Sequence, residues 1–250
     1  MSVINKLRDD QEYYKGIGKN YLSNSDIGAL LTNPKSFREE RDDNKSFAEG
    51  RLFHQLILEP EKVDKVVSVD VSTRNTKEYK TFCADNGLDF ALLTKEVEEI
   101  HKLVGVIKAN IVFYDDIYRE GNVYEEPALG KIKGMDWKGK ADIITNDYII
   151  DLKTTSDINK FKWSAKAYNY DSQCYIYEQL FGKPLYFYVI DKETAQLGVF
   201  RPSEQFVKNG EAKVERADVV IWNDGDIAAL DAQLLTLTRQ IWHDESNRKS

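Results

Sequence analysis

The chain has 250 residues, 42% of them hydrophobic and 31% charged, with a formal net charge of −7; this is the balance of a globular protein with material for one large or two small cores. No apolar run approaches the roughly 18–20 residues of a membrane span. Two cysteines, Cys83 and Cys174, exclude a disulfide framework, a four-cysteine zinc site and a four-cysteine iron–sulfur cluster, and a reducing, cytoplasmic setting is expected.

In chain order, residues 1–20 are polar, without periodicity and without the apolar centre of a signal peptide. A flexible arm is expected there, followed by a single domain over 21–250 whose core lies at about 120–200. Ser23 and Asn24 offer caps ahead of Ile27, Leu30 and Leu31, which predicts a short helix stopping near Pro34; Pro34 opens a second one through Phe37 to about Arg41. Ser46–Leu58 reads as a helix with Phe47, Phe53, Leu56 and Ile57 on its apolar side, ended by Glu59-Pro60. It carries His54, and a lone helical histidine is ordinarily packed or solvated.

Val66–Val71 alternates as a strand, and Thr76–Asn86 is a weakly patterned helix. Thr94 caps a helix with Val97, Ile100, Val104 and Ile107 at helical spacing. Ile111–Tyr118 is a further helical piece. An extended segment from Val123 to Met135 carries Glu125 and Glu126; adjacent strand residues point to opposite faces, so one of the two can join a site on a given face. Lys131, Lys133, Lys138 and Lys140 form a locally basic segment, and each reads equally well as part of a solvated strand face.

Phe161–Phe181 reads as one aromatic-rich helix, in which Gln173 and Tyr177, four apart, share a face. Leu185–Asp191 and Gln196–Phe200 are expected strands. Ser203 or Glu204 starts a helix interrupted near Asn209-Gly210, and Asp226–Trp242 carries the stripe Ile227, Leu230, Leu234, Leu237, Ile241 of a C-terminal amphipathic helix. Strands gathered in 123–200 between helical flanks predict an α/β domain with helical N- and C-terminal additions.

The chemistry concentrates in Gly139–Thr155, GKADIITNDYIIDLKTT. Ala141–Ile144 and Tyr148–Lys153 read as two apolar strands joined by the turn Thr145-Asn146-Asp147. A buried strand carrying unpaired charge is several kcal/mol less stable than one without, yet Asp142 lies in the first strand and Asp151 and Lys153 in the second. Residues two apart on a strand share a face, so Asp151 and Lys153 point together and pairing can bring Asp142 beside them. Mg²⁺ takes oxygen ligands, one or two of them carboxylates. Asp142 and Asp151 supply these, with the Leu152 carbonyl within reach. Lys153 would orient a metal-activated water or, with a depressed pKa, deprotonate it. The triplet acid-x-Lys occurs at four other places, 43–45, 78–80, 136–138 and 211–213, so it decides nothing alone. On spacing alone a surface hairpin with solvent-facing charges remains open.

With its neighbours, Asp142…Asp151-Leu152-Lys153 resembles the PD-(D/E)xK nuclease signature, in the branch of RecB/RecE-type exonucleases. Four further segments fit that branch in order: YLSNSDIGALLTNPKSF, GRLFHQLILEP with His54, an acid at Glu125 or Glu126, and the Gln173-x-x-x-Tyr177 helix. The resemblance implies a restriction-endonuclease-like fold, a mixed central sheet flanked by helices. It implies metal-site roles for His54 and Glu125, the latter fitting the Glu-x-Pro pattern better than Glu126. Gln173 and Tyr177 would support the lysine or contact DNA. Further implications are Mg²⁺ or Mn²⁺ dependence and 5′→3′ digestion of double-stranded DNA ends in recombination or repair. A toroidal homo-oligomer, a single-strand annealing protein as partner, and a bacterial or phage-infected cytoplasm complete them. A flap or structure-specific endonuclease would use the same residues, and a non-catalytic DNA-binding protein on this fold is the reading from a different class. Three features depart from the pattern. Ala141 stands where many members have proline, the cysteines that bind an iron–sulfur cluster in some relatives are missing, which excludes that subgroup, and the net charge of −7 is unlike a DNA enzyme, although bound metal offsets clustered acids and a groove presents its local field.

Overall fold

The computed structural model describes residues 2–39, 43–63 and 67–221. In chain order the elements are α1 (Val3–Lys6), α2 (Asp10–Tyr14), α3 (Asn24–Thr32), α4 (Lys45–Leu58), β1 (Ser68–Val69), α5 (Lys77–Asp85), β2 (Leu92–Leu93), α6 (Thr94–Ala109) and α7 (Ile111–Ile117). They continue with β3 (Val123–Ile132), β4 (Met135–Ile144), β5 (Ile149–Thr155), α8 (Phe161–Ala167), α9 (Tyr170–Phe181), β6 (Leu185–Asp191), β7 (Leu197–Phe200) and α10 (Glu204–Ile221).

Strands β3 to β7 form one sheet in sequence order. The pairs β3–β4, β4–β5 and β6–β7 are antiparallel, while β5 and β6 run parallel, joined by the crossover through α8 and α9. Lys133 and Gly134, both at positive φ, make the two-residue turn of the β3–β4 hairpin, the geometry that follows the right-handed twist of its strands. β5 is covered on both faces. Ile149 joins Phe187 and Val189 against α3, α8, α9 and α10, while Ile150 and Leu152 join Tyr188 and Ile190 against α4, α6 and α7. Strands buried on both faces read as near-continuous apolar runs, which is why a charged residue in β5 stands out. β1 and β2 pair in parallel as a separate small sheet, and β1 is shorter than the expected strand, of which Val66 lies outside the described residues.

The N-terminal segment expected as a flexible arm is instead docked on the β3–β4 hairpin. Leu7 is fully buried and Tyr13 nearly so. Arg8 meets Glu126 with two contacts of 2.7 Å, Lys140 Nζ donates to Asp10 at 2.5 Å, and Lys138 Nζ donates to the Tyr13 carbonyl at 2.5 Å over the Tyr13 ring. The arm's polar residues find their partners on the hairpin, more than a hundred residues away, so no local pattern announces them. Leu22 then pairs along the edge of β4 at Trp137.

Three helix boundaries also differ from expectation. The helix expected from Pro34 is a single turn, Pro34–Ser36. Phe161–Phe181 is broken into α8 and α9 by Asn169, which takes the left-handed conformation at φ 58°. α10 runs unbroken through Gly210, where a Cβ would lie 2.0 Å from the Asp171 carbonyl oxygen; the glycine permits a close helix crossing rather than a break. Asp226–Trp242 lies outside the described residues. Among those described, no helix is long and apolar enough to cross a membrane.

Candidate active site

β4 and β5 pair through Ile143–Ile150 and Ile144–Ile149. At the next step the Asp142 side chain closes the gap, its Oδ2 accepting the Leu152 N–H at 2.8 Å. On the other side of β4, the ladder to β3 runs through Tyr124–Ile143 and Glu126–Ala141. Between them, opposite Asp142, Glu125 stands at φ 48°, a conformation that costs a non-glycine residue roughly 1–3 kcal/mol and gathers at functional sites. Glu125 therefore turns toward Asp142, while Glu126 is held by Arg8.

His54 reaches the same spot from α4. Its Nε2 lies 2.9 Å from the Leu152 carbonyl oxygen; a carbonyl only accepts, so Nε2 carries the proton. Nδ1 then faces Asp142 Oδ2 at 3.4 Å. Ligand atoms of His54, Glu125 and Asp142 all lie within 4.8 Å of one another. Burial pushes the Glu125 carboxyl up to about 8, the Asp142 carboxylate adding to the effect and Lys140, 3.7 Å away, opposing it. Burial also raises Asp142, with Asp151 reinforcing it, while Lys153 and the Leu152 N–H counter it. Two carboxyls that resist ionisation beside an imidazole nitrogen with an inward lone pair are a donor set deficient in positive charge. Its oxygen-rich composition fits a hard divalent cation such as Mg²⁺ or Mn²⁺.

Asp151 and Lys153 do share a face of β5, with Lys153 Nζ 2.5 Å from Asp151 Oδ2. Gln173 from α9 donates Nε2 to Asp151 Oδ1 at 2.5 Å, so both oxygens of Asp151 face donors. Burial lowers the Lys153 pKa, but the Asp151 carboxylate, with Tyr170 and Asp142 behind it, outweighs burial and holds the ammonium above the ordinary lysine range. Tyr177 donates its hydroxyl to the Lys140 carbonyl at 2.8 Å, bracing β4 two residues before Asp142. Of the expected site residues, the structure thus gathers His54, Glu125 and Asp142 in one cluster and Asp151, Lys153 and Gln173 in a second beside it. The Leu152 carbonyl joins them through His54, and Tyr177 supports the strand.

Two participants went unassigned by sequence reasoning. The Tyr170 ring centroid lies 5.0 Å from Lys153 Nζ; the spacing of Tyr170, Gln173 and Tyr177 at three and four residues is the helical-face signal that marks it. Lys140, named only as part of a basic segment, lies between Glu125 and Asp10, and nothing local distinguishes it from the exposed Lys131.

A family model described as a PDDEXK-like domain of unknown function (DUF3799) matches residues 28–223. No curated protein matches the sequence. Among solved structures, a protein provisionally named an exonuclease, from Eubacterium rectale, is similar at TM-score 0.60 and 18% identity over 85% of each chain, a likeness of fold. The structure of SSO0001 matches at TM-score 0.33 and 17% identity over 80% of this chain and 85% of that one, which carries no argument. The matched span contains His54, Glu125, Asp142, Asp151 and Lys153, and the sheet that holds the last four is the mixed, helix-flanked sheet of a restriction-endonuclease-like fold. The chain belongs to the PDDEXK-like family.

Proposed function

We propose that the chain is a divalent-metal-dependent deoxyribonuclease, an exonuclease acting on the ends of linear double-stranded DNA. The observation that carries the reading is the juxtaposition, across one step of β5, of the Asp142–Glu125–His54 cluster with the Asp151–Lys153 pair. Asp142, Glu125 and His54 would hold the cation, with Asp151 and the Leu152 carbonyl as further donors. When bound, Mg²⁺ or Mn²⁺ lowers the pKa of a coordinated water and offsets charge on the scissile phosphate.

The protein's own groups supply the rest. The Nε2–H···O bond to Leu152 fixes the His54 ring so that Nδ1 faces the carboxylates, as partners of metal-binding histidines do. Lys153 stays protonated, so it acts as a hydrogen-bond donor and fixed positive charge toward the attacking water or a phosphate oxygen rather than as the base. Gln173 fixes the Asp151 carboxylate, and Tyr177 fixes the register of β4.

The resemblance to RecB/RecE-type exonucleases supports the exonuclease reading, a 5′→3′ direction and a place in recombination beside a single-strand annealing protein, with a ring-shaped oligomer enclosing the duplex. The test is digestion of linear duplex labelled at either end, beside a covalently closed circle, in Mg²⁺ and in chelator. The expected result is Mg²⁺-dependent release of the 5′ label with the circle spared. A circle cleaved as fast as the linear form would replace this reading with a structure-specific endonuclease, and absence of cleavage in either Mg²⁺ or Mn²⁺ would leave a DNA-binding protein.

A further inference from the structure

From the active-site lysine a row of aromatic rings leads out to solvent. Phe187 in β6, fully buried, stacks on Tyr170 with centroids 5.2 Å apart and planes at 24°. Tyr170, half-buried, lies 5.0 Å from Lys153 Nζ and 5.9 Å from the ring of Tyr168. Tyr168, the last ring of the row, is 67% exposed. The first two rings belong to the core, since Tyr170 also packs on Phe161. Tyr168 adds little to it. Its backbone is nonetheless anchored, because it caps α8 and is followed by Asn169, which is held at φ 58° at the break between α8 and α9 and accepts from Lys213 Nζ on its Oδ1 at 2.8 Å. An exposed ring at the open end of this row, tilted 39° to Tyr170, is a place for one more planar ring.

We propose that Tyr168 is the stacking site for an unpaired nucleobase of the DNA strand next to the phosphate presented to Lys153; the inference rests on the nuclease reading of that site. Two features select a base over another planar ligand. The row starts at the proposed catalytic lysine, so a base on Tyr168 belongs to the same strand as the phosphate at Lys153. Lys162, over the ring of Trp163, and Lys166 are both exposed and one turn apart on α8, the helix that Tyr168 closes, and they give that helix positive charge for the backbone in a chain of net charge −7. Aromatic stacking combined with backbone-tracking charge is how proteins hold single strands without reading sequence. Tyr168 is on this account a positioning residue that holds the melted end of a duplex.

The experiment is binding of a fluorescein-labelled duplex bearing a short oligo(dT) overhang, in chelator so that nothing is cut, beside the same duplex with blunt ends. Tyr168→Ala should weaken binding of the overhang duplex roughly 10-fold and leave its salt dependence unchanged, while Tyr168→Phe stays near wild type. Lys166→Ala should instead lower the slope of log affinity against log salt by about 1. In Mg²⁺, Tyr168→Ala should raise KM for the overhang duplex more than it lowers kcat. Wild-type affinity of Tyr168→Ala for the overhang duplex, or an equal loss in Tyr168→Phe, would overturn the stacking role. A wild-type protein that binds neither duplex would overturn it together with the nuclease reading, whereas tight binding untouched at Tyr168 overturns the stacking role alone.

Discussion

Two buried aspartate–lysine pairs stand a short way apart in this molecule. Asp171 in α9 is fully buried and meets Lys213 of α10 at 2.7 Å, with the Ser172 N–H on the same oxygen. Asp151 in β5 is almost as buried and meets Lys153 at 2.5 Å. Pair for pair they look alike, but their surroundings do not. Asp171 is one acid facing one ammonium at a helix crossing that Gly210 makes close, and Lys213 has further acceptors in Asn169 and Lys166. Asp151 has Asp142 and Glu125 for company, and the lysine that could offset Glu125, Lys140, is drawn at 2.5 Å to Asp10. A buried ion pair by itself is weak evidence of anything but its own satisfaction. A local surplus of buried carboxylates is evidence for a missing positive charge, and so for a site.

The largest expected effects separate the two pairs. Asp151→Ala should cut DNA hydrolysis by about 10³-fold or more while the protein stays folded, because the Lys153 ammonium that loses its carboxylate still has Asp142 beside it. Asp171→Ala should do the reverse, leaving the Lys213 ammonium without its carboxylate and lowering stability by about 3–5 kcal/mol, with the specific activity of the folded fraction retained. Equal activity losses in both variants, each still folded, would erase the distinction.

The pH dependence of stability sharpens it next. Glu125 titrates at about 8 in the folded chain against 4.5 for an ordinary glutamate. Between these values the folded protein holds a proton that the unfolded chain has lost. Its contribution to stability is therefore fully present below pH 4.5 and is lost as pH rises through about 8, with a ceiling of about 1.4 kcal/mol per pH unit. Denaturant melts of metal-free protein should show stability declining over that window, and Glu125→Gln should flatten the decline. Saturating Mn²⁺ should flatten it as well, since the cation replaces the proton. A pH-independent midpoint in the metal-free wild type would contradict the surplus-charge account.

Smaller effects belong to the supports. Gln173→Ala should lower activity by roughly 10- to 100-fold, the range for residues that orient metal-site carboxylates, and this is read from kcat/KM. Tyr177→Phe removes the bond to the Lys140 carbonyl and should reduce stability by about 1 kcal/mol. Smallest of all, Arg8→Ala breaks a partly exposed pair with Glu126 and should change stability by less than about 1 kcal/mol with DNA hydrolysis unaltered. Glu126→Gln should be as mild, in contrast to Glu125→Gln.

Much of the site can be read from residue pattern, because its parts obey local geometry. Asp151 and Lys153 share a strand face, Gln173 and Tyr177 a helix face, and the runs around Asp142 and Asp151 are apolar enough to make those acids conspicuous. Glu125 is harder, since it is separated from Glu126 by a left-handed backbone that the residue itself disfavours and the fold imposes. What the pattern hides is long-range. The charges of residues 8–10 look like a solvated arm until Glu126 and Lys140 are placed beneath them. Gly210 reads as a helix breaker on propensity, whereas the Asp171 carbonyl makes it a requirement of packing. Asn169 splits an otherwise continuous helical pattern for a similar reason, through its bond from Lys213.

The central claim is that Asp142, Glu125 and His54 form a divalent-metal site, and titration calorimetry with Mn²⁺ tests it most directly. Wild-type protein should bind Mn²⁺ with release of protons, because carboxyls with raised pKa must ionise on binding, and Asp142→Asn should abolish the heat while remaining folded. Mn²⁺ binding to Asp142→Asn with wild-type affinity and wild-type proton release would contradict the account.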